Sequence, residues 1–147
     1  MSDTTTLMSW RTEGVLFSRF FAYLVDLVII GFWCVVAGFI VFFLGFITLG
    51  LAWGLYTILV PAIGLMYSAI TVGGHRQATI GMRLMGLRVV HTSGAPVDGV
   101  TAAVHALFFY VAAGTVLLWL LDVLVGLFNE NRRMLHDILC GLAVIRS

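Results

Sequence analysis

The chain has 147 residues, 61% of them hydrophobic and 10% charged, with a net charge of +1. Soluble domains are roughly 45–50% apolar and about 25% charged, so this chain lacks the polar residues to cover a water-facing surface. Eleven Phe, four Trp, two Pro and two Cys exclude a disordered chain, a collagen-like repeat and a disulfide scaffold. What remains is an integral membrane protein with the lipid bilayer as its first partner. Without a basic field, nucleic acid is not one.

Residues 1–14 form a polar tail (MSDTTTLMSWRTEG). The apolar run after it is far longer than the roughly 7–15 residues of a signal-peptide core, so it is expected to stay in the membrane. Between Asp26 and Arg76 lie 49 residues without a formal charge. As one straight helix they would extend about 70 Å, over twice the ~30 Å hydrocarbon core, so the chain must fold back once. The turn is expected at Gly45–Gly50, giving a first span over 17–44 and a second over 51–72 with Pro61 inside it.

Residues 75–99 are semi-polar. They read as a short interfacial helix with Ile80, Leu84 and Leu87 on one side, then a strand over Leu87–His91 and a turn at Thr92–Gly94. The apolar stretch 100–128 is long enough for one crossing and too short for two. In the tail, 129–147, Leu135, Ile138, Leu139 and Leu142 recur at helical spacing, which predicts an amphipathic helix. The expected fold class is therefore all-α integral membrane: three apolar segments in a single membrane domain, with one short helix/strand segment at the interface.

All eight basic residues are arginine. Arg11 and Arg19 precede the first span, and Arg76, Arg83 and Arg88 follow the second. Excess positive charge stays on the cytoplasmic side, which places the N-terminus and the 75–99 loop there, in the plasma (inner) membrane. A third full crossing would put Arg132, Arg133 and Arg146 outside, against the same rule. Either the third segment is bent or re-entrant, or packing overrides its charges; the favoured placement puts the tail on the cytoplasmic side.

Arg19, Tyr23 and Asp26 stand at i, i+4 and i+7 and share one helix face. Asp26 lies about 10 Å deeper than Arg19 at ~1.5 Å per residue. A carboxylate at the bilayer centre costs at least about 2.5–3.5 kcal/mol, so it should have a partner and is a candidate ion or proton site. Equally, it could be one half of a salt bridge that locks helices together. Asp122 reads as an interfacial or capping residue, Asp137 as a surface partner of Arg133, and His75, His91, His105 and His136 as packed or interfacial side chains without metal-ligand spacing. Cys34 and Cys140 read as packing residues. Gly31, Gly38 and Gly45 recur every seven positions, and Gly50-x-x-x-Gly54 opens the second span; such stripes let helices approach closely. Neither a hydrolase nor a nucleotide-binding motif occurs, so no enzymatic activity, metal or cofactor is expected.

The segment SRFFAYLVDLVI resembles the R-x-x-A-x-x-x-D signature of the RDD family of small membrane proteins, with Arg19, Ala22 and Asp26 in place. The loop QATIGMRLMGLRVVHTSGAPV is similar to that family's T-x-G-K-x-x-x-G-L-R-V-x-x-x-x-G-x-P run, with Met82 where lysine is usual and Arg83 beside it carrying the charge. The tail RRMLHDILCGLAVIR resembles R-x-x-L-x-D-x-x-A-G-T-x-V, with Asp137 as the second aspartate and Cys140 and Leu142 replacing Ala and Thr. The resemblance implies a small membrane transporter, sodium–proton exchange among the activities linked to the family. Arg19, Asp26 and Asp137 would be its site, with Tyr23, Arg83 and Arg88 in support and a monovalent cation and a proton as ligands. A thin three-segment bundle would need to work as a homo-oligomer. The alternative is a non-enzymatic scaffold or accessory subunit in which the same residues are structural. Either way, the three side chains are expected to meet in one cytoplasmic-side pocket.

Overall fold

A computed structural model describes Thr12 and residues 14–147; the expectations for residues 1–11 and Glu13, including the polar tail and Arg11, lie outside the described residues. The chain is mostly helical. Helix α1 (Val15–Ile47) is 33 residues long, about 50 Å at ~1.5 Å per residue, so it can cross a ~30 Å core with length to spare. The turn falls where the glycines predict it: Gly50 takes φ +96°, a left-handed conformation that only glycine adopts without strain. A 3₁₀ turn (Leu51–Leu55) then leads into α2 (Tyr56–Val72), which continues through Pro61. Together Leu51–Val72 form the second apolar helix long enough to span.

Residues 75–99 follow the sequence reading closely. Helix α3 (Ile80–Leu84) is capped by Thr79, whose hydroxyl accepts the Met82 N–H, and strand β1 covers Leu87–His91. The apolar stretch after them is broken. Helix α4 (Gly99–Ala113), capped by Asp98, meets α5 (Val116–Phe128) at a bend of 118° across Gly114-Thr115. A bend this sharp turns the chain back toward the end it came from.

The tail corrects the expected helix. Helix α6 stops at Leu135–Leu139, Gly141 takes φ +65°, and Leu142–Arg146 form strand β2. The left-handed glycine redirects the backbone, so Leu142 leaves the helical periodicity that suggested its inclusion. Strand β2 pairs antiparallel with β1, Val89 opposite Val144 and Leu87 opposite Arg146. The fold is thus not purely α: a two-stranded sheet caps one end of the helices. Its apolar residues Leu87, Val89, Leu142 and Val144 form one buried cluster with Val15, Ala22 and Val72.

The glycine stripe divides in two. A Cβ on Gly45 would overlap the Trp53 indole, and Gly38 lies against Tyr56, whose hydroxyl donates to the Gly38 carbonyl at 2.7 Å. Gly50 serves the turn, while Gly31 and Gly54 face open space. At the other end, Gly73 and Gly99 touch backbone to backbone, which ties the start of α4 to the end of α2. Gly126 packs on Leu16 and Met134, which brings the end of α5 to the start of α1. Both ends of the bent pair therefore lie at the same end of the α1–α2 hairpin as the sheet.

Strand pairing across the loop and the tail fixes their relative position. In a background with Cys34 and Cys140 changed to Ala, Ser93→Cys and Ser147→Cys should react with a membrane-impermeant maleimide from the same side. Leu49→Cys, 95% exposed at the far turn, should react only from the other. Labelling of positions 93 and 147 from opposite sides would contradict the β1–β2 pairing.

Candidate functional site

Two polar nodes lie near the sheet-capped end, and they share out the residues expected in one pocket. The first centres on Asp26 of α1, 7% exposed. Tyr67 of α2 donates to its Oδ1 at 2.6 Å, Thr79 to its Oδ2 at 2.6 Å, and the Gly81 N–H to its Oδ1 at 2.8 Å. The Tyr67 hydroxyl in turn accepts the Ile80 N–H at 3.1 Å. Three donors thus converge on one carboxyl group. Gly81 is required here, because a Cβ would overlap the Ala22 carbonyl and the Asp26 carboxyl. This node clasps α1, α2 and α3.

The second node centres on Asp137, the third residue of α6, whose carboxyl is fully buried. Arg19 grips it bidentately, Nη1 to Oδ2 at 2.5 Å and Nη2 to Oδ1 at 3.0 Å. His105 of α4 lies with Nε2 2.7 Å from Oδ1, and the Met134 N–H donates to Oδ2 at 2.9 Å as a helix cap. Burial opposes ionisation of Asp137. The charge of Arg19 and the hydrogen bonds from His105 and Arg19 outweigh it and hold the carboxyl well below its ordinary value.

From Asp137 the network continues through His136. Its Nε2 lies 3.4 Å from both Asp137 Oδ1 and Arg19 Nη2. Its Nδ1 meets the two Asp122 oxygens at 2.8 and 2.7 Å, and its backbone N–H donates to Asp122 Oδ1 at 3.0 Å. The two imidazoles lie 4.7 Å apart, with Phe109 against the edge of His136. Five ionisable side chains from α1, α4, α5 and α6 thus form one connected, almost dry cluster.

Several expectations are corrected. Arg19 and Asp137 meet, but among the described residues no hydrogen bond or ion pair links either to Asp26; α3 and Tyr67 take Asp26 instead. Arg133 does not hold the Asp137 carboxylate; it donates to the carbonyls of Leu142, at 2.7 Å, and Asp137. Asp122 does not snorkel to the surface. It is the seventh of thirteen residues in α5 and 1% exposed, and its short side chain could not reach water from there. Tyr23 packs edge-on against Phe109, Arg83 donates to the Ala78 carbonyl, and Arg88 points outward from β1. None of the three completes a node.

His105 and His136 were legible only as polar residues in apolar surroundings. The usable signal was that Asp122 and His105 interrupt membrane segments, where each needs a partner. With Asp137, the two histidines offer three metal-type ligand atoms within 4.8 Å of one another. The open cavity of about 420 Å³ at Gly73-Gly74, lined by His75, Gln77, Pro96 and Val97, involves none of these groups.

The model of the RDD family matches residues 14–141, most of the chain. The chain belongs to the RDD family. No curated protein and no solved structure matches it. It is a membrane protein, with two helices long and apolar enough to cross and a bent pair that could make a third segment. The matched range includes Arg19, Asp26 and Asp137, and in the structure Arg19 pairs with Asp137 rather than with Asp26.

Removing one partner of a buried ion pair leaves the other charge uncompensated, at about 3–5 kcal/mol. Asp137→Asn should therefore lower the unfolding temperature in detergent more than Asp26→Asn, whose neutral amide keeps an acceptor for Tyr67 and Gly81 and costs about 1–3 kcal/mol. Thermal unfolding followed by circular dichroism checks the order. The reverse order would contradict the burial and partners assigned to Asp137.

Proposed function

We propose that this RDD protein is a small transporter of cations in the plasma (inner) membrane, with its ion site at the Arg19–Asp137–His136–Asp122–His105 cluster. The observation that carries the reading is the composition of that cluster. Two carboxylates and two imidazoles from α4, α5 and α6 surround one guanidinium in a buried position. Ionisable groups among membrane helices are costly to place, and oxygen and nitrogen atoms that converge in this way suit a cation. Asp26, saturated by three donors, is a structural clasp in this reading.

In the proposed topology the N-terminus, the 75–99 loop and the tail face the cytoplasm. The exposed Arg76, Arg83, Arg88, Arg132 and Arg146 at the sheet-capped end support that orientation. Segment 100–128 is then re-entrant, which relieves the conflict a third crossing would create. Transport takes place in a homo-oligomer, because the segments of one copy make a thin bundle; the open faces at Gly31 and Gly54 are available for close helix contact.

A scaffold or accessory-subunit reading is favoured by one observation of its own: both signature carboxylates are fully occupied by donors, as expected of clasps. Flux separates the two. Reconstituted wild-type protein should move a cation from a panel that includes Na⁺ and K⁺ faster than empty vesicles, measured with and without an imposed pH gradient. His136→Gln should remove most of that flux, whereas Asp26→Asn should retain it per folded molecule. Absence of flux from the folded wild-type protein would eliminate transport and leave the scaffold.

A further inference from the structure

The three ligand atoms of the cluster are not those that suit an alkali cation. Two imidazole nitrogens and one carboxylate oxygen are the donor set of zinc and its neighbours in the first transition row. Each atom already points inward: His105 Nε2 and His136 Nε2 lie 2.7 and 3.4 Å from the same oxygen, Asp137 Oδ1. An independent feature points the same way. Asp122 holds the Nδ1 side of His136, which leaves Nε2 as the nitrogen facing the group, and a carboxylate behind a histidine is how metal-binding imidazoles are oriented and made more basic.

The place a metal would take is held by Arg19. Its Nη2 lies 3.0 Å from Asp137 Oδ1 and 3.4 Å from His136 Nε2, so the guanidinium serves as the group's cation. Its side chain is about 9% exposed and springs from the first turns of α1, a long stem that can extend toward the interface. A divalent ion in place of the guanidinium would match the two carboxylates charge for charge.

We propose that His105, His136 and Asp137 form a binding site for a divalent transition-metal ion of the zinc class, oriented by Asp122, for which the Arg19 guanidinium is the resident competitor. This rests on the cation-site reading of the cluster and narrows the cation to a chemical class. Arg19 then sets the affinity: it keeps the site closed at low metal concentration and yields at high concentration.

The test is Co²⁺ and Zn²⁺ binding to full-length protein in detergent, stripped of metal with a chelator. Wild-type protein should bind one Co²⁺, with the visible absorption of a low-coordinate site. Arg19→Gln should bind it at least tenfold more tightly. His105→Gln and His136→Gln should abolish binding, and Asp122→Asn should weaken it about 10–100-fold, the range for losing such a supporting carboxylate. If Arg19→Gln fails to fold, Arg19→Lys, which keeps a charge but loses the bidentate grip, should still bind more tightly than wild type. Absence of one-equivalent binding to the folded wild-type protein, or binding that survives in the His105→Gln/His136→Gln double variant, would overturn the proposal. Na⁺ or K⁺ flux without metal binding would overturn this site and leave the transport reading intact; metal binding without flux of any cation would do the reverse.

Discussion

A buried bidentate ion pair between Arg19 and Asp137 is the constraint on which the rest of this architecture depends. Taking two charges out of water carries a penalty that their attraction offsets only with good geometry and further hydrogen bonds. Both conditions are met: the guanidinium fits the carboxylate in parallel, while His105 and the Met134 N–H occupy the remaining acceptor positions. The pair joins residues 118 positions apart, the entry of the first helix and the last short helix. Once it forms, the tail must return to the end where α1 begins. Strand pairing and the 118° bend between α4 and α5 are the backbone's means of getting there.

Around that pair the polar residues divide into a clasp and a charged cluster. Asp26 ties α1 to α2 and α3 through neutral donors, so its node is complete and locally satisfied. The second node gathers two carboxylates, two imidazoles and one guanidinium, and draws on four helices. Asp26 and Asp137 thus have different partners, although their side chains are chemically identical.

The two short strands and the helices α3 and α6 have no counterpart in lipid. Their buried residues Leu87, Val89, Leu142 and Val144 form an apolar core at the end of the hairpin, where the bundle would otherwise present helix ends to water. Lipid-facing side chains such as Phe32, Phe39 and Leu117 remain largely exposed on the helices, as expected where the solvent is hydrocarbon. The small platform therefore supplies a large share of the conventional protein interior, and it holds α6, with Asp137 and His136, against the membrane helices.

Composition and hydrophobic length alone determined the membrane class, the first two helices, the turn at Gly45–Gly50 and strand β1, because each is a local property: apolar run length, glycine placement, alternation. The R-x-x-A-x-x-x-D segment and the two later motifs were likewise readable as linear patterns. Pairing was not. That Arg19 takes Asp137 and leaves Asp26 to Tyr67 and Thr79 depends on which helices become neighbours, and one charge can match several partners at equal sequence cost. The strand at Leu142–Arg146 was hidden for a related reason, since its residues fit a helical period until Gly141 turns the backbone and β1 offers an edge. Asp122, His105 and His136 were visible as isolated polar residues; only the packing of α4, α5 and α6 made them a cluster, because burial and charge compensation are properties of the assembled fold.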